Sequence, residues 1–583
     1  MNQSKQYLTI LWLSLSLALL VPIRTSAANL FIIVEGVEAE LEKNVLSYMT
    51  INQEKDNKKL GEDRIRRYFQ MGNQEIKDAL KPFGYYHTFV QSEIKQQDNE
   101  WRLYYKITPG PSVKISEIDI RVSGTGETES QIQEVITKFP LKFNDTAIHA
   151  LYEQGKTALL RATTAQSYLD AKYSKSQLII DPQTNKATIH LHLETGDPYF
   201  FGKIKFQAVK IKESLLRRYL EFKEGDRYSG KAVLELQAAL ESSSYFATVA
   251  VIPERDLATN YKIPIKVELS MNKPNKYDLG AGYGTDTGIR GRVRWNRRVL
   301  GSHGHTFDVQ ATVSQIKQEG RISYYIPWRN PRNNRIEIGA GLQNKETVTY
   351  DSIDKSLGTS LQLKYRKWRE TNSLHLEETQ FNVGEEGWRI TQLLVLGTSL
   401  TQLNVDNYKL IRHGTKYGFG LLGSWDQALS DISFLRAEVS GKLILGLTKH
   451  GRVLLRGKLG AMTVSDFDLL PPKYRYFAGG DSSIRGYEYE SQGPTNEFGK
   501  VIGGQRIIET SVEFDYAIGE NWRAAVFWDG GNAFDARGDP MIQGAGVGVR
   551  YVLPIGMVRV DVAQAISEPD KPWRVHITIG PDL

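Results

Sequence analysis

The residues best spaced for chemistry are one arginine and two acids near the C-terminus. The segment Phe477-Ala478-Gly479-Gly480-Asp481-Ser482-Ser483-Ile484-Arg485-Gly486-Tyr487 sits among Pro471, Pro472 and Gly493-Pro494, so it reads as part of a long loop between strands. A guanidinium cannot lose its proton and has five donors to satisfy, so a buried Arg485 needs carboxylate partners. Alternation offers two. With Val512, Phe514 and Tyr516 on one strand face, Glu513 turns to the other; with Val526 and Trp528 outward, Asp529 turns inward. Two placements stay open on the residues alone. In one, the loop folds back between the strands, Arg485 pairs with Glu513 and Asp529, and Gly486 permits a tight backbone. In the other, Arg485 is solvated, the commoner fate of a loop arginine.

Other constellations fall short of a reaction. Gly155-Lys156-Thr157 resembles the end of a phosphate-binding loop, but Ala150 stands where a leading glycine belongs, and the segment reads as helix. Gly280, Gly282 and Gly284 lack dinucleotide spacing and read as small lumen-facing positions on a strand. His190 and His192 share one side of a strand, and His303 and His305 a glycine-rich hairpin; without a third ligand no metal site is expected at either. The chain has no cysteine, which excludes thiol catalysis, disulfides and iron–sulfur clusters. HExxH and GxSxG are absent as well, so neither an enzyme nor a cofactor is expected.

The elements that would hold the Arg485 group come in two textures. From about Tyr277 onward, alternating segments follow one another between Gly, Asn, Asp and Pro turns, as in Tyr277, Leu279, Ala281, Tyr283, then Phe307, Val309, Ala311, Val313, and finally Trp573, Val575, Ile577, Ile579. Gly, Arg, Asp, His and Thr occupy the opposite faces. Such a pattern inverts a soluble barrel core and fits strands set between lipid and a watery lumen. At roughly ten residues per strand plus turns, residues 274–583 accommodate a transmembrane antiparallel β-barrel of about sixteen strands.

Residues 28–273 read instead as three copies of one α+β unit, at 28–111, 112–198 and 199–273. Each closes on an aromatic turn and alternating strands: Phe83-Gly84-Tyr85-Tyr86 with 101–108, Ser167-Tyr168-Leu169 with 187–194, and Ser244-Tyr245-Phe246 with 263–269. Helical spacing links Leu41, Val45 and Met49, then Ile76 and Leu80, then Val233, Leu236 and Leu240. Helices on one sheet face leave an edge strand able to pair with a guest strand. Before the modules, the apolar run from Tyr7 to Ile23 and then Thr25-Ser26-Ala27 read as an export signal cut after Ala27. A net charge of +7 over 583 residues is too dilute to argue for nucleic acid. The mean hydropathy of −0.38 decides nothing, because only alternate barrel residues face lipid.

Ser483-Ile484-Arg485-Gly486-Tyr487 resembles the V/I-R-G-F/Y loop signature of the outer-membrane assembly superfamily that contains BamA, the TamA-type subunits of translocation and assembly modules, and the two-partner-secretion transporters. Thr510-Ser511-Val512-Glu513-Phe514, Phe527-Trp528-Asp529-Gly530-Gly531-Asn532 and Asp561-Val562-Ala563 resemble that family's last strands. Three POTRA-like repeats fit the TamA-type branch, since BamA-like chains carry five and two-partner transporters two with a plug helix. The resemblance implies a lumenal loop motif of Ile484, Arg485, Gly486 and Tyr487 held by Glu513 and Asp529. It also implies a lateral seam between Tyr277, Leu279, Ala281 and Tyr283 on the first strand and Trp573, Val575, Ile577 and Ile579 on the last. Gly580-Pro581 at the chain end weakens pairing there.

The activity so implied is insertion and folding of unfolded β-barrel clients, such as autotransporters, into the outer membrane of a Gram-negative cell, by client-strand addition at the seam. The repeats would lie in the periplasm. A TamB-like inner-membrane-anchored partner and dealings with outer-membrane lipids come with the same resemblance. The alternative is a secretion pore or passive channel, in which the lumen itself conducts.

Overall fold

Alternation in the C-terminal part closes a sheet on itself. Sixteen strands, from Asn275–Gly284 to Trp573–Gly580, form a closed antiparallel barrel in which sequence neighbours are sheet neighbours. Closure matters in lipid, because every backbone N–H and C=O must find a partner inside the structure. Leu279, Ile289 and Val547 stand well exposed on the outer face, while Asp515 and Asp529 are fully buried. The structure is a computed structural model that describes residues 29–580 apart from 58–59, 98–99, 408–409, 536–538 and 555; the expected export signal and Pro581 lie outside the described residues.

One joint of the barrel differs from the rest. Neighbouring strands pair along most of their length, as Tyr350–Tyr365 does with Trp368–Val383, whereas among the described residues the first and last strands share the single pair Gly284↔Thr578. Thr285 extends this joint: its N–H donates to Ile577 O at 3.1 Å, and Ile577 N–H donates to Thr285 Oγ1 at 2.5 Å. The physical reason is stagger. Barrel strands tilt and shift register, and with Thr578 opposite Gly284 the last strand, ending at Gly580, runs out beside the top of the first. Among the described residues, 275–283 have no ladder partner on that side. Of the eight residues expected along the seam, Ile577 hydrogen-bonds to Thr285 across it, and all eight lie on the first and last strands, where Gly284↔Thr578 is the ladder pair among the described residues.

The N-terminal repeats form small sheets backed by helices. In the first, strand Asn29–Glu35 pairs parallel to Glu100–Thr108, which pairs antiparallel to Phe89–Gln97. Val45, Ile65, Ile76 and Leu80 of its helices pack on Leu103 and Trp101. The second repeats that order with Lys114–Ser123, Lys186–Glu194 and Lys172–Asp181. Gly155 lies inside its helix His149–Ala165, where a Cβ would come within 2.3 Å of the Phe139 ring; close packing accounts for this glycine. A third sheet orders Phe200–Phe206, Lys262–Met271 and Phe246–Pro253.

The chain divides into two compact units, one up to Lys203 with Glu224–Gly230 and Glu254–Pro264, the other Ile204–Lys223, Lys231–Pro253 and everything from Ile265. The division runs through the third repeat. Within the second unit, Tyr245 Oη donates to Gly304 O at 2.6 Å and Lys212 N–H to Ser302 O at 2.9 Å, tying repeat residues to the first barrel hairpins.

Candidate functional site

Between strands Gly451–Val464 and Arg506–Ala517 runs a connection of residues 465–505, and it enters the lumen. Several walls hold it. Lys473 Nζ lies 2.8 Å from Asp354 and 2.7 Å from Glu377, and Glu490 pairs with Lys345 at 2.8 Å. Tyr476 Oη donates to Ala437 O at 2.9 Å. Ile484 and Tyr487 pack with Ala478, Ile542 and Ala565 in a small buried cluster.

Arg485 is buried at the centre of this arrangement, 6% exposed. Nε and Nη2 reach Asp529 Oδ2 and Oδ1 at 2.7 and 2.9 Å, a fork-to-fork pair. Nη1 donates to Glu513 Oε2 at 2.7 Å and Asp561 Oδ2 at 3.2 Å, and Nη2 also to Ser511 Oγ at 3.4 Å. All five guanidinium donors therefore have acceptors. The Phe527 ring lies beneath, 3.4 Å from the guanidinium carbon. Gly486 follows with φ +101°, and a Cβ there would stand 2.9 Å from Ala565 N. Glycine is required by both the left-handed backbone and this approach.

The structure thus brings Arg485 together with Glu513 and Asp529, and adds residues that the sequence reading did not assign. Arg550 donates to Glu513 Oε1 at 2.9 Å through Nη2 and to Asp561 Oδ1 at 2.5 Å through Nη1. Arg456 stands 3.9 Å from Asp529. Three cations, Arg456, Arg485 and Arg550, balance three carboxylates, Glu513, Asp529 and Asp561, which is how a buried charge cluster remains tolerable. The signal for the additions was in the alternation: outward Val549 turns Arg550 inward, and outward Val560 and Val562 turn Asp561 inward. A second buried cluster lies further along the same strands, where Arg452 and Arg523 both hold Asp515 at 2.7 Å.

A third group ties the loop to the seam. His576 of the last strand, 1% exposed, has Nδ1 at 2.6 Å from Asp481 Oδ1, and its Nε2 accepts the Gly486 N–H at 2.9 Å. That backbone donor fixes the proton on Nδ1, directed at Asp481, which leaves neither ring nitrogen for a cation. Asp481 N–H in turn donates to Asp286 Oδ2 at 2.6 Å, in the turn after the first strand. Burial and the Asp481 carboxylate push the Asp286 carboxyl up to about 7, and its Oδ1 is buried without a hydrogen-bond partner among the described residues.

The histidine pairs read differently. His190 Nδ1 and His192 Nε2 both face Asp119 Oδ2, at 3.3 and 2.8 Å, while Arg121 holds Oδ1 at 2.6 Å. Hydrogen bonds from His192 and Arg121 keep the Asp119 carboxyl well below the usual carboxylate range. Lys175 stands opposite His192 in register, so the cluster carries its own positive charge. His303 Nε2 faces Lys212 Nζ at 3.0 Å and His305 Nδ1 faces Tyr324 Oη at 2.5 Å.

Comparison with known proteins agrees with the barrel and the repeats. Residues 300–582 match the Omp85 superfamily domain, residues 32–109 the POTRA domain called TamA domain 1, and residues 199–270 the POTRA-type surface antigen variable number repeat. The outer membrane protein assembly factor BamA of Neisseria meningitidis serogroup B is 20% identical over 519 residues, covering 80% of this chain. This chain spans 63% of that relative's length. BamA of Neorickettsia risticii is 21% identical over 539 residues, covering 84% of this chain and 69% of that one. The crystal structure of BamA from Haemophilus ducreyi lacking POTRA domains 1–3 superposes with a TM-score of 0.64 at 16% identity, over 80% of this chain and 99% of that chain. With a closed sixteen-strand barrel and three small sheets backed by helices, the chain carries an Omp85 superfamily domain along residues 300–582 and POTRA-type domains at 32–109 and 199–270.

Proposed function

We propose that this protein is the outer-membrane subunit of a translocation and assembly module, inserting and folding β-barrel clients through its lateral seam. The carrying observation is the staggered seam, where, among the described residues, the first strand leaves 275–283 without a ladder partner on one side while Gly284 pairs with Thr578 of the last strand. A client strand entering hydrocarbon with free backbone groups costs several kcal/mol for each, and such an edge offers those groups partners within the membrane. The first strand would template the client and the last strand would yield its place. Free energy would come from client folding, with no chemical step by the protein itself.

The loop that fills the lumen favours a lateral route over an axial one. Anchored to Asp354, Glu377, Glu513 and Asp529, it lies where a conducted solute would pass. The TamA-type POTRA match at residues 32–109 supports assignment to a translocation and assembly module. On this reading the modules lie in the periplasm, receive unfolded client at their edge strands and dock a TamB-like inner-membrane-anchored partner; a part in moving outer-membrane lipids belongs to the same assignment. The test is reconstitution. Proteoliposomes holding the full chain should accelerate folding of an autotransporter barrel over empty liposomes and show no steady ion conductance. Conductance without acceleration would replace this reading with a pore.

A further inference from the structure

At the barrel end where the first strand begins, a cavity of about 470 Å³ opens between the lumen wall and residues 242–245 of the third repeat. Its lining is mostly polar and unusually cationic. Three cations there have carboxylate partners: Lys276 with Asp278 at 2.8 Å, Arg294 with Asp308 at 2.6 Å, and Arg332 with Glu221. Four others have none among the described residues. Arg298 donates to Lys273 O at 2.8 Å with its Nε buried and unpartnered, and Arg335 donates to Gln362 at 2.8 Å and lies over the Tyr325 ring. Lys364 and Arg369 are exposed, form no ion pair, and face each other directly across the strands Tyr350–Tyr365 and Trp368–Val383.

Like charges directly opposite one another on adjacent strands destabilise a sheet. Folding alone therefore gives no reason for Lys364 beside Arg369, whereas an anionic ligand would. Two features select its kind. The uncompensated cations are spread over four strands, which suits a row of carboxylates better than one phosphate. The polar wall offers no slot for acyl chains. We infer that this vestibule receives an acidic stretch of extended polypeptide on its way from the modules to the seam. The inference rests on the proposed handling of unfolded clients and names a substrate feature: carboxylate-bearing segments are preferred.

The experiment uses the full chain in detergent micelles and a fluorescent Glu-Gly repeat peptide, followed by anisotropy. Binding should weaken as salt rises. It should fall about tenfold or more in Lys364→Gln/Arg369→Gln, as loss of charge-assisted contacts implies. Lys571→Gln, in the turn at the opposite barrel end, should leave it unchanged. The double variant should melt no lower than the wild type, because a repulsive pair is removed; this separates a ligand site from a structural role. Equal binding by the double variant, or equal binding of a Lys-Gly peptide, would overturn the inference. No peptide binding, together with saturable binding of pyrophosphate or anionic phospholipid vesicles in a direct titration, would overturn it in favour of a phosphate site. Peptide binding is read without any client folding, so a failed reconstitution sinks the proposed function and leaves this result standing.

Discussion

Replacing Arg485 with methionine keeps most of the side-chain volume and removes the charge at the centre of the loop. Arg550 would still serve Glu513 and Asp561, at 2.9 and 2.5 Å, so Asp529 is the acid left stranded, with Arg456 as its nearest remaining cation at 3.9 Å. Breaking a buried pair by removing one partner costs about 3–5 kcal/mol. Since Arg456 recovers part of this, about 3 kcal/mol is the working figure, roughly a hundredfold rise in the released state of the loop. The chain lacks cysteine, so Ala478→Cys, at a fully buried loop position, makes a clean reporter. Maleimide labelling in bilayers should be about a hundredfold faster with Arg485→Met, and adding Asp529→Asn should slow it again by neutralising the stranded acid. Labelling within twofold of the parent, or no response to Asp529→Asn, would refute the claim that this cluster holds the loop.

Three further outcomes follow from the same geometry. Asp515→Asn leaves Arg452 and Arg523 facing each other without their carboxylate; it should cost about 3–5 kcal/mol and lower the temperature at which the barrel unfolds on semi-native gels. Gly486→Ala forces a Cβ to 2.9 Å from Ala565 N at φ +101°, and should raise Ala478→Cys labelling as Arg485→Met does. The Asp286 carboxyl, raised from 3.8 to about 7, binds its proton more tightly in the closed barrel than in a solvated turn. Closure is thus favoured in acid and weakens as pH rises through about 7; labelling of Thr285→Cys should increase between about pH 5 and pH 8, and Asp286→Asn should flatten the profile.

Much of this architecture is legible because strand alternation is a local signal. Val512, Phe514 and Tyr516 announce an inward Glu513, and Val526 with Trp528 an inward Asp529, whatever the rest of the chain does. Closure is not local. His576 and Asp481 meet across 95 residues, and Thr285 and Ile577 across 292, so neither contact carries a nearby mark. The eight expected seam residues lie on the first and last strands, but the stagger between those strands, with Gly284 opposite Thr578, has no mark in the local pattern. Arg550 and Asp561 were readable as inward residues, but their sharing of Glu513 and Arg485 depends on how neighbouring strands shear. The third ligand-like group beside His190 and His192 was hidden for the same reason: Asp119 becomes their neighbour only through parallel pairing of Lys114–Ser123 with Lys186–Glu194.

The central claim is that the seam must part for clients to fold, and the register now selects the pair that tests it. Gly284 and Thr578 are direct partners, and a Cβ at Gly284 would meet nothing nearer than Thr287 Oγ1 at 3.3 Å, so Gly284→Cys/Thr578→Cys can bridge without displacing its surroundings. In proteoliposomes the oxidised protein should fail to accelerate folding of a client barrel, and reductant should restore the rate. A tethered protein that folds clients as fast as the reduced one would contradict the account.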